Sequence, residues 1–229
     1  MQELINIFSN VFIPEQFGGN LDEENYNMVY SWGYDIINKY FASSHCLNGV
    51  SKMVFILNDS NWVIKIPFNG YFYTTWNEED DWICDMEEWD CFRYAMNDWD
   101  YCNVELEKYK DARKQGLECF FAETKFLCKG MNNHPIYIQE KVVPINKDTV
   151  KRKASNRALK IAGKTSTCLS KTWLALAIDF YGNEKVQKFV DYINNIDPEI
   201  SQDLHYGNYG YRLDGSPCLL DFSGWNENI

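Results

Sequence analysis

Asp203-Leu-His-Tyr-Gly-Asn208-Tyr-Gly-Tyr-Arg-Leu-Asp-Gly-Ser-Pro-Cys-Leu-Leu-Asp221-Phe-Ser-Gly224 decides how the rest of the chain is understood. It has the form D-L-x-x-x-N followed by D-F-x-G. Asn208 stands five residues after Asp203, and Asp221 thirteen after Asn208. The intervening residues predict a hairpin, with strands at about Asn208–Arg212 and Pro217–Asp221 and the turn at Leu213-Asp-Gly-Ser216. Such a hairpin brings Asn208 and Asp221 to its facing ends. Their amide and carboxylate oxygens suit Mg²⁺, which takes one or two carboxylates together with phosphate and water. The plain alternative is an ordinary hairpin with surface acids, since a single D-x-x-x-x-N is common. The apolar run Cys218-Leu-Leu220 leading into Asp221-Phe222 favours the metal-holding version.

The 229 residues fit one large domain or two lobes, and with 45% hydrophobic residues the chain can fill a core. A net charge of −11 argues against direct nucleic-acid binding. The eight cysteines (46, 84, 91, 102, 119, 128, 168 and 218) form no C-x-x-C pair, and the three histidines are not at metal-site spacing from them. Free thiols in a reducing cytoplasm are expected. The start, Met-Gln-Glu-Leu-Ile-Asn, lacks a basic end and a long apolar run, so no signal peptide is expected. No run nears the ~18 apolar residues of a membrane span.

In chain order, residues 1–19 are mixed, and Asn20 or Asp22 caps a helix to about Phe41 with a stripe at Met28, Trp32, Ile36 or Ile37 and Tyr40. Met53–Leu57 and Trp62–Pro67 read as antiparallel strands turned at Asn58-Asp-Ser60. In residues 69–100, ten acids face Arg93 alone, and Trp82, Met86, Trp89 and Met96 fall at helical spacing. An amphipathic helix with a solvated acidic face is expected there. The alternative is a docking surface for a basic protein partner. A helix from Asn103 closes at Gly116. Glu105, Tyr109 and Ala112 share one face of it, while Glu107 lies on another with Lys110 and Asp111. Ala122–Cys128 and Ile136–Glu140 are strands about a turn that includes His134. Lys147–Lys164 is basic, net +6, and reads either as a solvated stretch or as a surface for an anion. Thr172–Asn194 carries a buried helical stripe, with Gly182 as a break.

These motifs resemble the protein-kinase-like superfamily, on the side of the aminoglycoside phosphotransferases and of short kinase-like proteins of phages and bacteria. The resemblance covers about residues 45–225 and is strongest at 203–224 and 61–67. It implies ATP and Mg²⁺ as cofactors, with Asp203 as the base and Asn208 and Asp221 on the metal. Val63-Ile64-Lys65 is similar to the V-A-I-K strand, which makes Lys65 the phosphate-binding lysine; taken alone it could equally be an edge-strand lysine. Glu105 is then the carboxylate that holds Lys65, with Glu107 as runner-up. Gly49 and Ser51 stand where a glycine-rich loop covers the phosphates, although Gly49 is the loop's sole glycine. Gln139–Val142, with Glu140 and Val142 as contacts, stands at the adenine hinge. Ser201-Gln202 replace the His-Arg of protein kinases, and His205 resembles the small-molecule branch. Only eight residues follow Asp221, so no peptide-substrate platform is expected.

The expected fold is α+β and bilobal, with an antiparallel-sheet N-lobe and a truncated helical C-lobe. Residues 1–44 form a helical extension, 45–141 the N-lobe with its acidic insertion at about 69–100, and 142–229 the C-lobe. Two functions follow. One is an ATP/Mg²⁺-dependent phosphotransferase acting on a small or unusual acceptor. The other is a kinase-shaped (pseudokinase) binding or inhibitory protein working through the acidic aromatic insertion.

Overall fold

The structure is a computed structural model that describes residues 1–14, 23–48, 51–67, 71–74, 92–95, 100–145, 153–198, 200, 204 and 206–223. It is a mixed α+β protein that divides into two compact units. The first comprises Met1–Val104 and Thr124–Gln139, the second Glu105–Glu123 and Glu140–Ile229.

The first unit is built on a five-stranded sheet. Its strands are β1 (His45–Asn48), β2 (Lys52–Ile56), β3 (Trp62–Pro67), β6 (Thr124–Lys129) and β7 (Pro135–Glu140), in the order β1-β2-β3-β7-β6. The pairs β1–β2, β2–β3 and β6–β7 are antiparallel. Side chains alternate between faces along a strand. Met53 and Phe55 of β2 and Ile64 and Ile66 of β3 therefore enter one core with Ile136 and Ile138. Two helices, α1 (Gln2–Phe8) and α2 (Glu23–Tyr40), supply the rest of it through Phe8, Val29 and Ile37. Phe8 stacks on Phe41 and meets Phe55 edge-on, both at 5.8 Å.

Two expectations change here. Residues 2–8 are helical, a segment too short to show a periodicity in sequence. The buried stripe of α2 runs through Val29, Gly33 and Ile37, whereas Met28 is exposed. Gly33 sets this rotation: a Cβ there would lie 2.8 Å from Met53 Sδ and 2.9 Å from Cys46 Sγ, so α2 rests against the sheet at its glycine.

The insertion begins as an antiparallel ribbon of β4 (Tyr71–Thr74) and β5 (Phe92–Ala95), with Tyr71 opposite Ala95 and Thr74 opposite Phe92. The helix expected to run to Met96 therefore does not extend over 92–95. Trp82, Met86, Trp89 and most of the acids lie outside the described residues. His134 does more than end a turn. Its Nε2 lies 2.8 Å from the Pro67 carbonyl, at the start of the insertion. Tyr137 donates to Asp100 at the other end, and Asp100 also accepts from the Asn103 amide at 2.9 Å.

Burial pushes the His134 pKa down, while the Pro67 bond and the Asp100 charge pull it partly back. The folded protein thus binds this proton less readily than the unfolded chain does. The stability it contributes is full above the unfolded value of about 6.5 and falls as pH drops below it. Burial pushes Asp100 up, which acts in the opposite sense. His134→Gln keeps a donor for Pro67 and removes the titration. Its melting midpoint is expected to fall less than the parent's between pH 7 and 5. Parallel melting curves across that range would contradict this assignment.

The second unit holds most of α3 (Tyr101–Lys114) together with α4 (Asn156–Ala162), α5 (Lys171–Tyr181) and α6 (Asn183–Asn195). A small sheet joins them, ordered β10-β9-β8, from β8 (Val143–Pro144), β9 (Tyr209–Tyr211) and β10 (Pro217–Leu219). Gly116, at φ +69°, ends α3, and the Leu117 amide reaches back to the Ala112 carbonyl at 2.8 Å. Gly182, at φ +86°, splits α5 from α6. The core is aromatic: Phe120 stacks on Phe189 at 4.3 Å, Trp173 packs on Tyr209, and Phe121 meets Phe222 at 4.9 Å. Within the basic stretch, α4 was not expected. Ser155 caps it, its hydroxyl accepting from the Ala158 amide at 3.1 Å, while Asp179 accepts from the Ser155 amide and hydroxyl, both at 2.6 Å.

Candidate functional site

The hairpin forms as its turn residues dictate. Gly215 takes φ +83°, its amide bonds the Arg212 carbonyl at 2.9 Å, and the Arg212 amide bonds Ser216 at 3.0 Å. Tyr209 pairs with Leu219 and Tyr211 with Pro217. One step beyond the ladder, the Leu220 amide donates to the Asn208 carbonyl at 2.9 Å. Asn208 is thereby held opposite Leu220, the residue before Asp221. Asn208 is buried and Asp221 half-buried. The Ser223 hydroxyl donates to Asp221 Oδ1 at 3.2 Å, and buried Phe222 anchors the segment in the aromatic core. Asp203, His205 and Gly224 lie outside the described residues, as does Gly49.

This donor set fits Mg²⁺. An amide oxygen and a carboxylate are hard ligands, and Mg²⁺ leaves its other positions to water and phosphate. Among the described residues no cluster of three His, Cys, Asp or Glu forms a denser cage.

In the first unit Lys65 is 3% exposed, on a strand third in a sheet of five. It is therefore not an edge-strand lysine. Its cross-strand partner is Val54. An ammonium this deep requires polar or anionic partners, and Lys65 is not without interactions. Ser51, half-buried, immediately precedes β2.

In the second unit α3 separates its two glutamates as the helical wheel predicts. Glu105 has no exposed surface. The Glu107 side chain is 59% exposed and pairs with Lys110 at 2.8 Å. One turn beyond Glu105, Lys108 bonds Asp197 at 2.8 Å, and Asp111 accepts from the Tyr192 hydroxyl at 3.1 Å. Both ties fix α3 to the end of α6, where the chain leaves toward Asn208.

The Glu140 side chain is engaged within its own unit. Its carboxylate takes Arg212 Nε at 2.9 and 3.0 Å and the Glu123 amide at 3.3 Å, and its own amide bonds the Glu123 carbonyl at 2.8 Å. Its side chain is thus a structural acceptor. Val142 lies over the hairpin at Gly210, where a Cβ would come within 2.9 Å of Val142 Cγ2.

Arg212 is the residue that sequence alone does not reveal. Besides Glu140, its guanidinium donates to the carbonyls of Cys119 at 2.8 Å and Phe121 at 2.7 Å and to the Tyr181 hydroxyl at 3.3 Å. Nothing in Tyr-Gly-Tyr-Arg-Leu-Asp-Gly marks it, because all these partners are remote in sequence. Cys46, Cys102, Cys119, Cys128, Cys168 and Cys218 are free thiols. Burial pushes Cys218 up to about 12, which keeps it a neutral thiol. Among the described residues no helix is long and apolar enough to cross a membrane. No protein-family model matches the chain, and a comparison with curated proteins likewise finds no match.

Proposed function

We propose that this chain is a kinase-like, ATP- and Mg²⁺-dependent phosphotransferase acting on a small or unusual acceptor. The observation that carries the reading is the hairpin: its ladder and the Leu220–Asn208 bond bring Asn208 against Leu220, the residue before Asp221, and a buried phenylalanine follows directly. The buried lysine of β3 and the buried glutamate of α3 add support.

Mg-ATP supplies the transferable phosphoryl group. Asn208 and Asp221 would hold the metal, and Lys65 would place a positive charge on the phosphates, with Glu105 holding that lysine. Asp203 would accept the acceptor hydroxyl's proton. In this chemistry the protein's contribution is placement and charge stabilisation.

The test is thermal melting with and without Mg-ATP, in the parent and in Asp221→Asn. The asparagine keeps an acceptor for Ser223, so the fold is expected to persist. At ~100 times its dissociation constant, a ligand adds about 2.7 kcal/mol. For a chain of this size that raises the midpoint by roughly 5–10 °C. A Mg²⁺-dependent rise in the parent that vanishes in the variant is expected. An unmoved midpoint at millimolar Mg-ATP would overturn the reading.

A further inference from the structure

The first unit buries a second lysine beside Lys65. Lys52 opens β2 and is 5% exposed, against 3% for Lys65. The register pairs Lys52 with Pro67 and Val54 with Lys65. Directly paired residues share a face, and residues two apart on one strand share a face. Lys52, Val54, Lys65 and Pro67 therefore lie on one face of the β2–β3 pair, with the two lysines diagonal to each other. The opposite face carries Met53, Phe55, Ile64 and Ile66 into the apolar core. Diagonal positions stand roughly 7–8 Å apart, within reach of two long side chains converging on one group.

Each buried ammonium carries a desolvation cost. Both lysines have interactions within the protein, so neither needs a ligand to be tolerated. What the placement adds is two lysines on one face of the strand pair, a spacing that suits a polyanion with several charged oxygens. Lys52 also follows directly on residues 49–51, where kinases cover the phosphates with backbone amides of a glycine-rich loop. Here Gly49 is the single glycine in Leu47–Lys52, so close backbone approach is restricted.

We propose that Lys52 is a second phosphate-binding lysine. With Lys65 it forms a two-cation seat for the polyphosphate of a nucleoside triphosphate and supplies by side-chain charge what the glycine-poor loop does not supply by backbone amides. This deepens the phosphotransferase reading and rests on it for the nucleoside.

The test uses the full chain and four probes: Mg-ATP, Mg-ADP, adenosine and inorganic triphosphate. Dissociation constants are measured calorimetrically for the parent, Lys52→Met and Lys52→Arg, and each melting midpoint is recorded without ligand. A charge-assisted hydrogen bond to phosphate corresponds to roughly 10- to 100-fold in affinity. Lys52→Met is expected to weaken Mg-ATP and inorganic triphosphate by that factor and to leave adenosine unchanged. Lys52→Arg should retain most of the parent's affinity. The ligand-free midpoint of Lys52→Met reports what its partners within the protein lose, and affinities are compared on the folded protein.

Equal losses for adenosine and Mg-ATP would mean a structural lysine and overturn the proposal. So would Mg-ATP binding by Lys52→Met at parental affinity, which would leave the phosphotransferase reading standing. Conversely, a parent that binds inorganic triphosphate through Lys52 but gains nothing from the nucleoside would keep the two-cation seat and remove the ATP reading. A parent that binds none of the probes would remove both.

Discussion

Replacing Arg212 with alanine is expected to lower the melting midpoint by roughly 6–20 °C, or to prevent folding. The side chain is 19% exposed and its partner Glu140 28%, so solvent does little to replace what is lost. Deletion leaves a carboxylate, two carbonyl oxygens and a tyrosine hydroxyl short of their donor. Breaking one side of such a buried pair costs about 3–5 kcal/mol, which for a chain of this size corresponds to roughly 6–20 °C. Arg212→Lys is expected to recover only part of this, because one ammonium cannot reproduce a planar fork aimed at acceptors in several directions. Glu140→Gln is expected to be milder, since it keeps an acceptor for the Glu123 amide and a neutral partner for Arg212. The measurement is thermal unfolding of the three variants beside the parent. A midpoint for Arg212→Ala within about 2 °C of the parent would show that the network is ornamental.

The same network marks where sequence stops being informative. Elements whose signal is local were readable: the strands β2 and β3 about their tight turn, the breaks at Gly116 and Gly182, and the Asp-Gly turn that closes the hairpin between Asn208 and Asp221. Each of these is decided by residues within a few positions of one another. The misses depend on packing. Helix α1 is shorter than two periods of its own pattern. Helix α4 is announced by one capping serine and masked by its basic residues. The rotation of α2 from Met28 to Val29 is set by two sulfur atoms on the sheet beneath Gly33, which no helical wheel contains. Residues 92–95 have apolar residues compatible with a helix or a strand, and pairing with 71–74 settles the matter. The bonds of Arg212 to Cys119 and Phe121 and the tie of Lys108 to Asp197 join residues about ninety positions apart. The site followed the same division. The hairpin half was legible, whereas the second lysine on the β2–β3 face emerged only when the register was known.

The face of α3 gives the sharpest functional contrast. Glu105 and Glu107 are two residues apart with identical chemistry, and their replacements are expected to diverge by about two orders of magnitude in turnover. Glu107 belongs to an exposed i,i+3 pair with Lys110; such pairs contribute a few tenths of a kcal/mol once solvent screening is counted. Glu107→Gln should leave Mg-ATP turnover and the melting midpoint unchanged. Glu105 is wholly buried, so truncation to alanine mixes a cavity and an uncompensated partner with any loss of function. Glu105→Gln avoids the cavity, preserving volume and one acceptor oxygen while removing the charge. If Glu105 holds the phosphate-binding lysine, the glutamine variant should remain folded, retain Mg-ATP binding within a few-fold, and lose roughly 10²-fold in turnover, the scale of a single preorganised electrostatic contact. A structural role alone predicts the reverse: a lower midpoint with turnover per folded molecule intact. Loss of turnover in Glu107→Gln would place the functional carboxylate on the wrong side of the helix, and the assignment of Lys65 would fall with it.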